Sequence, residues 1–155
     1  MVIKIRKATQ KDLKRIDEIY VEGSIDEGKY QFPNVSTKEM ESELNRFQNA
    51  RRQGFRRDMK DRKHFWIVAE NNKQIIGFGQ AWIKNKETGI TESVYVKRKF
   101  RKKGIGKKIM REMIGWLKKQ KLKHIESSAY IRNRPSIKLH NKLGFKPFSV
   151  RMRLK

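Results

Sequence analysis

Along the chain, apolar and polar positions alternate in blocks whose period switches between two and about 3.6. Val2 to Arg6 alternates apolar and basic residues with period two, which predicts a first strand with one buried face. Thr9 stands where a helix cap belongs, with Asp12 three residues on at the positive end of the dipole. Leu13, Ile16, Ile19 and Tyr20 then fall on one helical face. The stretch Gly23 to Pro33 reads as loop. Ser36 and Glu39 form a capping-box pattern, and Met40, Leu44 and Phe47 recur at helical spacing as core positions of a second helix. Arg51 to Lys63 carries seven basic and two acidic residues with little apolar periodicity, and reads as a mobile or extended connection.

From His64 the period returns to two. Phe65 to Ala69 predicts a strand, Asn71-Asn72 a turn and Gln74 to Lys84 the second arm of a hairpin. A turn at Lys86 to Gly89 then leads to a strand over Thr91 to Val96, completing a β-meander. Ile105, Ile109, Met113, Ile114 and Leu117 line one side of a helix running from about Gly104 to Gln120, whose other side carries Lys107, Lys108, Arg111 and Lys118. A strand follows over His124 to Ala129. Pro135 opens a short helix through Leu143, Gly144 stops it, and Phe148 to Leu154 alternates as a last strand. The sequence has no internal repeat, and the reading is an α+β fold in one domain spanning residues 1–155, a mixed sheet between helices.

Composition narrows the chemistry. No cysteine is present among the 155 residues, which excludes disulfides, thiolate metal sites and a cysteine nucleophile; no metal site is expected from three histidines. No segment approaches the apolar length of a membrane span or a secretory signal, so the expected location is cytoplasmic, without membrane contact. Forty Lys and Arg residues against 16 Asp and Glu give a formal charge of +24. Such a field favours anionic partners and mildly favours acidic over polycationic small molecules. A nucleic acid, a polyphosphorylated cofactor and a merely solvated surface all remain compatible with it.

Charge and glycine coincide once. Lys97 to Lys108 holds eight positive charges in twelve positions, and within it Gly104-Ile105-Gly106 opens a helix directly after a strand. The first turn of a helix presents unpaired N–H groups and partial positive charge, and glycine leaves the approach to them clear, so the turn suits a pyrophosphate.

Arg101-Lys102-Lys103-Gly104-Ile105-Gly106 resembles the Arg/Gln-x-x-Gly-x-Gly/Ala cofactor signature of the GNAT superfamily of N-acetyltransferases. Asn133-Arg134-Pro135-Ser136, followed by Leu139-His140-Asn141-Lys142-Leu143-Gly144-Phe145, is similar to a second element of that family, and Ile5 to Leu13 to its opening. The resemblance implies a GNAT-type central sheet, mostly antiparallel and flanked by helices on both faces, with acetyl-CoA as acetyl donor and an amine as acceptor. It implies that Arg101, Lys102, Lys103, Gly104, Ile105, Gly106 and Lys107 surround the pyrophosphate, and that Val94, Tyr95 and Val96 pair with the pantetheine arm and stabilise oxyanion charge. Asn133 and Ser136 match cofactor-contacting positions, although Asn133 equally suits a helix-opening turn.

Acetyl transfer to an amine needs a base for the amine proton and an acid for the departing thiolate. Without cysteine, direct attack in a ternary complex is the expected route. Glu92 lies on the strand just before the cofactor edge, where family members place a catalytic carboxylate; a carboxylate balancing nearby cations fits the position equally. His140 stands where the family has an acidic tyrosine, and imidazole can donate a proton near neutral pH. Tyr130 is the alternative donor, and His64 and His124 are given no catalytic role. Acceptor choice is expected to lie in Gly23 to Lys63. Only eleven residues follow Gly144, a shortened C-terminal strand region that suggests a homodimer in which a partner completes the sheet. The competing function is a basic nucleic-acid- or ribosome-associated protein on the same scaffold, contacting phosphates through Arg51 to Lys63 and Lys97 to Lys108.

Overall fold

The structure is a computed structural model and describes residues 1–154. Five strands form one sheet in the order β1-β2-β3-β4-β5: β1 Lys4–Lys7, β2 His64–Asn71, β3 Gln74–Ile83, β4 Thr88–Val96 and β5 His124–Glu126. The first four pair antiparallel, and β5 joins β4 in parallel. The β2–β3 turn places Asn72 and Lys73 at φ 49° and 61°, the left-handed pair that a tight two-residue hairpin requires.

Helices cover both faces, giving the mixed α+β sandwich that the residue pattern predicts. On one face α1 (Leu13–Gln31) buries Ile16 and Ile19 against Trp66, Val68 and Phe78. On the other, α4 (Ile105–Lys119) buries Ile105, Ile109, Met110, Met113 and Leu117 against Ile67, Ala69, Ile76 and Ala81. The short α5 (Arg134–Lys142) adds Leu139 to that second core.

Five expectations are corrected. Gly23 to Pro33 is no loop up to Gln31, because α1 continues through it. Gly23 is there for contact: a Cβ would stand 2.2 Å from Cδ1 of Tyr95, so only glycine lets the helix lie against that ring. Arg51 to Lys63 is no extended connection either. Its first part belongs to α3 (Gln48–Asp58), where Arg51 and Arg52 each donate at 2.7 Å to Asp17, a carboxylate 1% exposed, and Phe55 packs on Tyr20 and Trp66.

In α2 (Thr37–Arg46) the Ser36–Glu39 capping box forms as expected, but no residue of the helix is buried. Met40 and Leu44 are half-buried and Phe47, just past it, is 54% exposed, because α2 packs mainly on α1 and α3 and not on the sheet. Lastly, Phe148 to Leu154 is not a strand. It finds no partner edge, and Phe148, Val150, Met152 and Leu154 stay exposed. The predicted strand over His124 to Ala129 likewise keeps only its first three residues, for a reason that shapes the site.

Candidate active site

Strands β4 and β5 hold together at Thr88–His124, Gly89–Ile125 and Ile90–Glu126, and then separate. Two bonds mark the point of separation: Thr91 Oγ1 donates to the Glu126 carbonyl at 3.4 Å, and Ser127 Oγ lies 3.3 Å from the Thr91 carbonyl. Beyond it the β5 side of β4 has no strand partner among the described residues. Lys97 N–H donates to Ile76 on β3. By the alternation of a strand, the N–H and C=O groups of Val96 and Val94 therefore point into the gap. The Val96 carbonyl is taken by Arg101 Nε at 2.7 Å.

A bulge re-aims the strand at the same level. Phe78 pairs with Tyr95 and Gln80 with Glu92, so β4 spends three steps where β3 spends two, and Ser93 adopts φ 52°. Without that extra residue Glu92 would share a face with Val94 and Val96, which pack toward α4. With it, Glu92 turns to the α1 face beside Gln80.

There Glu92 lines a cleft of about 340 Å³ with Tyr20, Phe55, Asp58, His64, Gln80, Trp82 and Ser93. Trp82 Nε1 donates to Glu92 at 2.9 Å, the Trp82 and His64 rings lie nearly parallel, and Gln80 Nε2 stands 3.1 Å from His64 Nδ1. Among the described residues no lysine or arginine lines this cleft, although the chain carries forty of them. His64, Trp82, Gln80 and Asp58 carry no motif that singles them out. Only the bulge, which cannot be read from residue types alone, brings Glu92 among them.

At the wide end of the gap lies the glycine-opened turn. Gly104 has φ 77°, and a Cβ there would meet nothing within 4 Å. Lys102 also lies in the left-handed region, at φ 61°. The amides of Lys102, Lys103, Gly104, Ile105, Gly106 and Lys107 find no acceptor among the described residues, the first helical bond being Lys108 N–H to Gly104. Six unpaired amides around an open helix start fit a polyphosphate's oxygens.

The Arg101 side chain turns away from these amides. Besides Val96 it donates to Asp26 at 2.6 Å, and Arg98 grips the same carboxylate at 2.8 Å. Burial pushes the Asp26 carboxyl up, but bonds from Arg98 and Arg101 outweigh it and hold it below the ordinary range. The turn is thus latched to α1, which needs the helix to run past Gly23. On the same helix Glu27 accepts from Tyr95 Oη at 2.8 Å. Burial raises both groups, and the nearby Glu27 carboxylate raises Tyr95 further. Tyr95, expected to pair with the pantetheine arm, instead turns its backbone to β3, opposite Phe78, and its ring toward α1, so the free edge belongs to Val94 and Val96.

His140 on α5 reaches the vertex of the gap. Its Nε2 is 2.7 Å from Ser127 Oγ and its Nδ1 is 2.7 Å from the Ser136 carbonyl. Tyr130 instead donates to Gln31 at 2.7 Å, tying the segment after β5 to the end of α1, and burial raises its phenol. The Asn133 side chain accepts from Ser136 N–H at 3.3 Å and so caps α5. His140 thus stands at the vertex of the gap and the 101–107 turn at its open end, Glu92 lies in the cleft on the α1 face of the same strand, and Tyr130 and Asn133 are occupied by Gln31 and Ser136.

A parallel pair that splays at its end, a bulged strand along one side of the opening and a glycine-opened helix at its mouth define an acetyltransferase type of α+β sheet. The chain belongs to the acetyltransferase (GNAT) family, whose profile matches residues 29–145. No curated protein matches the chain. Among solved structures it is similar to the PaiA N-acetyltransferase of Thermoplasma acidophilum in complex with coenzyme A. The two share 21% identity over 94% of this chain and 91% of the other, with a TM-score of 0.80. It is also similar to a predicted acetyltransferase of Clostridium acetobutylicum with acetyl-CoA, at 23% identity over 99% and 96% and a TM-score of 0.66. A third is the aminoglycoside 6'-N-acetyltransferase AAC(6')-Ih of Acinetobacter baumannii, at 16% identity over 99% and 97% and a TM-score of 0.69. At these identities the likeness carries the fold.

Proposed function

We propose that this protein is an acetyl-CoA-dependent N-acetyltransferase acting on a primary amine by direct attack in a ternary complex. The observation that carries the reading is the gap between β4 and β5, with unpaired amides of 102–107 at its mouth, His140 at its narrow end and the Glu92 cleft on the α1 face of the same strand. Acetyl-CoA, when bound, supplies the activated acetyl group as a thioester.

The chain's own residues divide the remaining work. Amides from Lys102 to Lys107 hold the pyrophosphate, and the lysines around them add charge. The Val94 and Val96 N–H groups pair with the pantetheine arm, and an amide of this edge faces the acetyl oxygen, where it stabilises developing negative charge. Glu92, held by Trp82, takes the amine's proton directly or through a water, and His140 supplies one to the thiolate. Tyr130 is the weaker candidate for that acid because its hydroxyl is spent on Gln31.

The cleft beside Glu92 revises the expected acceptor. The molecule's positive field argued for acidic compounds, but Asp58, Glu92 and aromatic walls with no cation among them suit a positively charged amine. The local charge at the reacting end outweighs the distant surface charge, because exposed charges are screened within about 8 to 10 Å at ordinary salt.

We further propose a cytoplasmic enzyme that pairs with a second copy through Phe148 to Leu154, whose alternating apolar residues are exposed in the single chain. Light scattering checks this, and a strict monomer would remove it. The nucleic-acid reading keeps the +24 charge in its favour, yet Arg51 and Arg52 are engaged by Asp17, which leaves the first basic run fewer free cations.

The test is turnover: release of CoA thiol from acetyl-CoA with a panel of cationic, neutral and acidic amines. Cationic amines should turn over fastest, and Glu92→Gln should lower kcat about 10²-fold or more. Equal turnover by Glu92→Gln would remove the base, and no turnover with any amine would remove the reading.

A further inference from the structure

The position of Ser127 has no motif to announce it, yet it occupies the vertex of the gap. It is the first residue after the last β4–β5 pair, Ile90–Glu126, and its hydroxyl lies between two groups. On one side is His140 Nε2 at 2.7 Å, on the other the Thr91 carbonyl at 3.3 Å. Thr91 immediately precedes Glu92.

The partners of His140 determine where its protons sit. Nδ1 is 2.7 Å from the Ser136 carbonyl, which can only accept, so Nδ1 carries a hydrogen. In the neutral ring Nε2 is then a bare acceptor, and the Ser127 hydroxyl donates to it. In the charged ring Nε2–H donates to Ser127 Oγ, and the hydroxyl hydrogen is freed to point elsewhere. The Thr91 carbonyl holds it only weakly at 3.3 Å. The ring itself is held by Ser136 and by the edge of Phe145, at 5.3 Å between centroids, so the group that changes direction is the Ser127 hydroxyl hydrogen, which turns about its C–O bond.

We infer that Ser127 relays the proton from His140 to the thiolate that leaves in acetyl transfer. The step balances: as the C–S bond breaks its electron pair goes to sulfur, Ser127 Oγ–H passes its proton to that sulfur, and the charged His140 returns a proton from Nε2 to Ser127 Oγ. The products are a neutral thiol, an intact serine and a neutral imidazole with hydrogen on Nδ1. The ring recovers its charge from solvent or from the proton that Glu92 removed from the amine. This rests on the acetyl-transfer reading and adds to it the group that touches sulfur.

The experiment compares wild type, Ser127→Ala and Ser127→Thr in CoA-thiol release, with acetyl-CoA affinity measured separately by calorimetry. The relay requires Ser127→Ala to lose about 10²-fold in kcat with acetyl-CoA affinity within about twofold of wild type, and Ser127→Thr to stay within about fivefold in kcat. Unchanged kcat in Ser127→Ala overturns it. So does an equal loss in both variants, or a loss that follows weakened cofactor binding, since each means that the Ser127 hydroxyl only clasps β5 to β4. Failure of the underlying reading shows earlier and differently, as a wild-type protein that releases no thiol with any amine.

Discussion

Replacing Gly104 by glutamate separates the two things this glycine does. Its φ of 77° lies in the left-handed region, where a side chain costs about 1–2 kcal/mol. Nothing lies within 4 Å of a Cβ, so no packing is lost, and for a chain of this size the strain should lower Tm by about 2–8 °C. The cofactor effect is larger. A carboxylate about 5 Å from a phosphate charge costs about 3 kcal/mol at an effective dielectric near 20. Each 1.4 kcal/mol is about tenfold in affinity, so acetyl-CoA should bind roughly 10²-fold more weakly. Gly104→Asn is the control, because asparagine tolerates this backbone and brings no charge; it should keep Tm near wild type and lose less than about tenfold. Thermal melting and calorimetric titration of the three proteins give both numbers. Gly104→Glu that melts as expected but binds acetyl-CoA within threefold of wild type would refute the placement of the pyrophosphate.

Asp17→Ala should destabilise the chain by about 3–5 kcal/mol in a denaturant titration, since it strands Arg51, which is 9% exposed, without its partner; a change below about 1 kcal/mol would contradict the fixing of α3 by this pair. Trp82→Phe keeps the ring but removes the donor to Glu92, and should lower kcat about tenfold while Tm moves by no more than a few degrees; equal kcat would show that the indole does not orient the base. The Arg6 guanidinium holds the Asp12 carboxyl below the usual carboxylate range. A lowered carboxylate adds stability that is present above its unfolded value and is lost as pH falls through the folded one. Melting temperatures should therefore drop below about pH 4, and Asp12→Asn should flatten part of that acid limb; an unchanged limb would assign it to other carboxylates.

How far the sequence could be read depended on whether a residue's partner was local. The meander and the 101–106 turn were legible because alternation, turn residues and glycine spacing act over a few positions, and Ser36–Glu39 is a contact across one helical turn. The Gly23 to Pro33 stretch was misread because its glycines suggest a loop, whereas the Tyr95 ring that requires Gly23 lies 72 residues away. Arg51 to Lys63 was misread for the same reason: a run of cations resembles a solvated connection until Asp17, 34 residues before Arg51, is seen to bind it. Phe148 to Leu154 carries the pattern of a strand, but pattern alone supplies no edge to pair with.

The site divides along the same line. Glu92, His140 and the glycine turn follow from motif positions, while Trp82, His64 and Asp58 join Glu92 only through the bulge at Ser93. Ser127 becomes meaningful only where β5 leaves β4. A long basic sequence also concealed a local reversal of sign, since the cleft's two carboxylates are a small part of a chain carrying +24.

Whether the 101–107 turn and the β4 edge receive acetyl-CoA is decided by calorimetric titration of the wild-type protein, freed of nucleic acid, at moderate salt. Acetyl-CoA and CoA should each bind saturably at one site, with ATP, which shares the phosphates but lacks the pantetheine arm, at least about 10²-fold weaker. No binding, or equal binding of all three, would rule out the acetyl-CoA site and leave a basic scaffold that attracts phosphate.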